Sequence, residues 1–86
     1  MKLFVFSVFD SKAAAFNPPF CAPSYGVAER NFHTEVTSAD SMVAKYPEDY
    51  SLFVIGDFDT DTGVLTARNP EAIVTASALV ARGQAG

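Results

Sequence analysis

The hydrophobic pattern changes period several times along the chain. Leu3 to Phe9 is a short run rich in Phe and Val, closed by the turn-favouring pair Asp10-Ser11, and it predicts a first strand. Alternation places Leu3, Val5 and Phe9 on one face and Phe4, Phe6 and Val8 on the other, so neither face is made for water. Ser51 to Asp59 repeats this character, with Leu52, Val54 and Phe58 alternating with Phe53 and Ile55, and predicts a central strand. Between the two, Ser24 can cap a helix whose apolar residues Tyr25, Ala28, Phe32 and Val36 form one stripe. Glu29, Arg30 and Glu35 fall off that stripe, and Thr37-Ser38 ends it.

The remaining segments are less regular. Lys12 to Cys21 can return beside the first strand, but Pro18-Pro19 lack amide donors and confine it to an edge or an extended arm. Ser38 to Tyr50 reads as a polar connection, with Met42, Val43 and Tyr46 as packing points and Pro47 as a helix stop or first-turn residue. Thr60 to Gly63 is a turn, and Val64 to Arg68 returns as the second arm of a hairpin that Asn69-Pro70 breaks. Glu71 to Val80 suggests a short strand and then one or two helical turns.

These elements predict an α+β fold: a small antiparallel sheet of about four strands, one main helix on one face, and the second face covered by an oligomer partner. No linker divides the 86 residues, so residues 1–86 form a single domain, with 82–86 flexible. A chain of this length buries only roughly 60 to 65% of its unfolded surface, which favours a homo-oligomer, a dimer first.

Charge narrows the function. The net charge is −4, with only six Lys and Arg, and this argues against strong nonspecific grip on DNA. The single cysteine, Cys21, excludes an intrachain disulfide framework and reads as a small buried side chain in a reducing compartment. The apolar run at the start is too short and too soon interrupted for a secretion signal, and no stretch is long enough to span a bilayer.

No catalytic constellation, metal site or cofactor motif is expected. Asp57, Asp59 and Asp61 share the opening spacing of a calcium loop, but Thr62 replaces its glycine and Arg68 its bidentate Glu, leaving a solvated hairpin. His33 follows Glu29 by one helical turn and has no recognisable nucleophile partner. The glycines are isolated rather than arranged in a phosphate loop, and Gly56 within a strand marks a bulge or close packing.

Aromatic side chains beside cations are what remains, because bases stack on aromatic rings while basic groups follow the backbone. Phe16, Phe20, Tyr25 and Tyr46 lie in or beside irregular segments near Lys12, Arg30 and Lys45.

Phe6-Ser-Val-Phe-Asp-Ser-Lys12, Pro19-Phe20, Gly26 with Ala28, Arg30 and Phe32, and above all Pro47-Glu-Asp-Tyr-Ser-Leu-Phe-Val-Ile-Gly56 form a recognisable series. From about Phe4 to Leu65 the chain resembles the small non-structural protein of gokushovirus-type microviruses, which are single-stranded DNA bacteriophages. The resemblance implies a single-stranded DNA-binding accessory, working in the host bacterial cytoplasm, that helps turn genome replication toward single strands for packaging. It carries over no ligand residues, and Phe stands at positions 6, 9 and 16 where the family often has Tyr.

On this reading the nucleic-acid-binding candidates are Lys12, Phe16, Phe20, Arg30, Lys45, Tyr46 and Arg68, with the cations gathered on one oligomer surface. The rival reading is an acidic protein-interaction module that docks on a viral or host replication protein through exposed apolar strands, without touching DNA.

Overall fold

The computed structural model describes residues 1–85 and shows a mixed α+β fold built on one antiparallel sheet. Strand β1 spans Lys2–Asp10, β2 Ala15–Phe16 and β3 Phe20–Ala22. Helix α1 spans Tyr25–Thr37, the one-turn α2 Met42–Lys45, and a 3-10 turn Pro47–Asp49 leads into β4, Tyr50–Asp59. Strand β5 spans Leu65–Thr75 and runs directly into α3, Ala76–Ala85. The order is β2-β1-β4-β5, with β3 also on the outer edge of β1, so β1 and β4 form the middle of the sheet.

The expected edge arm divides in two. Residues 15–16 pair with the end of β1 and residues 20–22 with its centre, and the bow between them leaves the ladder only after Asn17, whose amide still donates to the Val8 carbonyl at 2.8 Å, because the prolines lack donors. The fully buried Ser7 accounts for the path of this bow: its Oγ donates to the Asn17 carbonyl at 2.6 Å. Phe20 and Ala22 point to the core, and Cys21 between them points the other way and is exposed, contrary to its expected burial.

Helix α1 follows its predicted stripe, burying Ala28, Phe32 and Val36, and the Ser24 hydroxyl accepts from the Val27 amide at 3.1 Å. The connection after it holds more structure than its polarity suggested, because the Ser41 hydroxyl caps α2 through the Val43 amide. Pro47 opens the 3-10 turn, which its fixed φ and missing donor suit.

Two expectations at the C-terminal side are corrected. Asn69-Pro70 does not end the strand, since β5 continues to Thr75. Between the pairs Gly56↔Ala67 and Val54↔Glu71, Ile55 alone stands opposite Arg68, Asn69 and Pro70, so the proline lies in an edge bulge where no ladder donor is required. The final helix is also longer than one or two turns. Ala76 and Leu79 pack beneath α1, making it a second covering helix. Residues 82–85 continue α3, and Gly86 lies outside the described residues.

The main core lies between the helices and one sheet face, while Val5 and Ser7 are buried on the other. Phe6, Leu52 and Val54, all fully buried, meet Phe32, Ala28, Val74, Ala76 and Leu79 in the main core. No helix among the described residues is long and apolar enough to cross a membrane.

Candidate nucleic-acid interface

Register divides the sheet's side chains sharply. On the helix-covered face the pairs are Lys2↔Asp59, Phe4↔Asp57, Phe6↔Val54, Val8↔Leu52 and Asp10↔Tyr50, so every paired charged residue of β1 and β4 stands on that side. The opposite face carries Leu3, Val5, Ser7 and Phe9 beside Phe58, Gly56, Phe53 and Ser51, continued by Leu65, Ala67, Ala72 and Thr75 on β5. None of these paired positions is charged.

Three rings concentrate at one end of this open face. Phe9 on β1 lies 4.8 Å from Phe16 on β2 and 6.0 Å from Phe53 on β4, while Phe16 meets Phe53 edge-on at 5.4 Å, between ring centroids. Phe16 is 45% exposed, and Phe9 and Phe53 are half-buried. The turn that brings Phe16 back is shaped by Asp10, whose Oδ1 accepts from the Lys12 and Ala13 amides at 3.0 and 3.3 Å. Ala14 then takes a left-handed φ of 54°, and β2 pairs Phe16 with Phe9.

The sequence-predicted residues meet different fates. Phe20 lies against Phe6 at 5.7 Å and is half-buried, so it serves the core edge. Arg68 is committed internally: its Nε and Nη2 donate to Asp57 at 2.9 and 2.7 Å, Nη1 donates to the Tyr25 hydroxyl at 3.2 Å, and the guanidinium sits 5.5 Å from the Phe4 ring centre. These bonds hold the Asp57 carboxyl below its ordinary range and push Arg68 further up. Arg30 is exposed on α1, and Lys45 is exposed in the last turn of α2.

Lys12 and Tyr46 are brought together in one open groove, also lined by Asp10, Met42, Glu48, Asp49 and Tyr50. Three carboxylates thus share the groove with Lys12. At the other end of the sheet stands Lys2, one strand length from the β1–β2 turn, about 25–30 Å at the usual rise. The described cations therefore do not form one patch within a single chain.

Phe9 and Phe53 were not among the predicted contacts. Their signal is the second apolar face of each strand, which on its own predicts only a surface needing cover. The acidic triplet of the hairpin is used locally: Asp57 holds Arg68, Asp59 accepts from the Asp61 amide at 2.8 Å, and Asp61 meets the Met1 amine at 2.8 Å. Amide donors from Asp61 and Thr62 keep the Asp59 carboxyl low. Among the described residues no group of three or more His, Cys, Asp or Glu is placed to hold a metal ion.

Comparison with known proteins gives a consistent picture. Residues 3–79 match the family model described as Phage ORF5 protein. A curated relative, "Protein ORF5" of Chlamydia phage 1, is 36% identical over 67 residues, covering 73% of this chain and 70% of that protein. No solved structure matches.

Proposed function

Because this chain belongs to the phage ORF5 protein family, we propose that it is a non-structural accessory of a gokushovirus-type phage that binds single-stranded DNA during genome replication. The observation that carries this reading is the cluster of exposed Phe16 with half-buried Phe9 and Phe53, at one end of a sheet face without paired charges whose other side is covered by helices. A sheet of this kind offers unstacked bases aromatic faces, and stacking of this sort is tolerant of sequence. Duplex DNA keeps its bases stacked inside and gains nothing from such a platform. Binding in the host bacterial cytoplasm would favour the single strands that packaging requires.

Charge sets the form of the interaction. With a net charge of −4 and Lys12 set among carboxylates, most of the affinity comes from stacking, so the salt dependence is shallow. Titration into labelled single- and double-stranded oligonucleotides at two salt concentrations tests this. Single-strand preference is the expected result, and absence of binding at low salt overturns it.

A second reading of the same face is a homodimer. Its paired positions carry no charge, so two copies at −4 each can approach there without burying an unpaired ion. Solution mass at micromolar concentration distinguishes the two. A dimer closed on this face doubles the mass and suppresses DNA binding as protein concentration rises.

A further inference from the structure

The groove at the end of the sheet differs chemically from the open face. It has a volume of about 470 Å³ and is floored by Tyr50, which is 9% exposed. Its walls include Met42 and Tyr46, unusually exposed for their size at 54% and 48%. Asp10, Glu48 and Asp49 supply three negative charges against the one positive charge of Lys12.

The fold holds these groups in place without using all of them. The Ser11 amide donates to the Asp49 backbone carbonyl at 2.9 Å, tying the β1–β2 turn to the 3-10 turn and leaving the Asp49 carboxylate free of that contact. Asp10 gives Oδ1 to the turn. Burial first, and then the nearby Asp10 and Asp49 carboxylates, push the Tyr50 hydroxyl up, which marks the floor of the groove as electronegative.

We propose that this groove binds a basic segment of a partner protein, taking a Lys or Arg side chain between Met42 and Tyr46 with its charged head among Glu48, Asp49 and Asp10. Charge complementarity selects this occupant. A long basic side chain has an aliphatic stem that packs on Met42, a cation that Tyr46 attracts through its ring, and a head that carboxylates bind. An acidic peptide or a DNA phosphate meets three like charges at the same place. The groove also gives the acidic balance of the chain a use that DNA binding does not: it steers a positively charged partner toward the molecule. The partner class is therefore a Lys- or Arg-bearing protein segment, and the contact is distinct from the aromatic platform.

The test uses the intact chain and a short fluorescent oligolysine peptide, with an oligoglutamate peptide as the opposite-charge probe. Glu48→Gln with Asp49→Asn should weaken oligolysine binding about tenfold, and Tyr46→Ala should weaken it several-fold without any change of charge. A control with the same charge change elsewhere, Asp40→Asn with Glu71→Gln, should leave the affinity within about twofold. Equal losses in the two charge pairs would mean general attraction to an acidic protein and overturn the groove. So would a Tyr46→Ala variant that binds as well as the parent. Binding of oligoglutamate in preference to oligolysine would overturn the assignment of partner charge. Phe16→Ala should leave peptide binding unchanged, which separates this contact from the proposed DNA platform.

Discussion

A Cβ placed on Gly56 would stand 2.6 Å from the backbone carbonyl oxygen of Thr66, closer than any side chain tolerates. The neighbour is backbone on a paired strand, so neither partner can swing aside. Gly56→Ala should therefore force β5 away from β4, costing about 1–3 kcal/mol as overpacking does. Urea unfolding checks this: the midpoint should fall while the slope stays constant. An unchanged midpoint would mean that the bulge opposite Ile55 absorbs the methyl group.

Arg68 ties β5 to Asp57 on β4 and to Tyr25 on α1, and the Asp57 carboxyl is held low in return. A carboxylate with a depressed folded-state pKa contributes stability that is fully present above its unfolded value, near 3.9, and is lost as pH falls through the folded value. Asp57→Asn should thus lower stability at neutral pH and flatten the acid limb below about pH 4, where the parent loses this contribution. Circular dichroism melts between neutral pH and pH 2–4 give the comparison. Parallel acid limbs in parent and variant would show that the pair contributes nothing.

How much of this was legible in the sequence depended on whether local pattern or pairing decided the outcome. The alternation in β1 and the stripe of α1 assigned faces correctly, because a period of two or of 3.6 is local information, whereas in β4 the alternation placed Phe58 with Leu52 and Val54 and the bulge at Ile55 moves it to the face of Phe53. Pro70 misled because its effect depends on which strand is at the edge: in a central strand it would end the ladder, and in β5 it occupies a bulge. The internal pairing of Arg68 was illegible for a similar reason, since nothing near it in sequence signals that Asp57 and Tyr25 will surround it. Lys12 and Tyr46, 34 positions apart, were both singled out, but their meeting among carboxylates required the Ser11 to Asp49 backbone bond. The open aromatic cluster was half legible: the apolar face could be read, the exposure of Phe16 could not.

Leu52 and Phe53 are neighbours in sequence on opposite faces of β4. Leu52 is fully buried beneath the helices, so Leu52→Ala should cost about 2–5 kcal/mol. Phe53 keeps part of its ring in solvent, and Phe53→Ala should cost clearly less in a monomer despite removing more atoms. Denaturant titrations at two protein concentrations compare them. If a second copy covers the open face, the Phe53→Ala cost will grow with concentration while that of Leu52→Ala will not.

The chain contains no Trp, which makes a Trp at position 16 the sole indole reporter of the open face. Phe16 is exposed and lies beside Phe9 and Phe53, so the larger ring can extend outward without entering the core. Phe16→Trp should retain the fold and lose fluorescence when oligothymidine is added, because a base stacked on the indole quenches it. Phe16→Ala should weaken the same binding by about 1–3 kcal/mol, the usual worth of one base on one aromatic. Tyr46→Trp reports from the acidic groove instead and should respond to oligolysine but stay unquenched by DNA. Quenching at position 46 alone would move the nucleic-acid contact off the sheet. Quenching at neither position, with binding still measurable by anisotropy, would leave exposed cations such as Lys2, Arg30 and Lys45 as the contact and remove stacking from its mechanism.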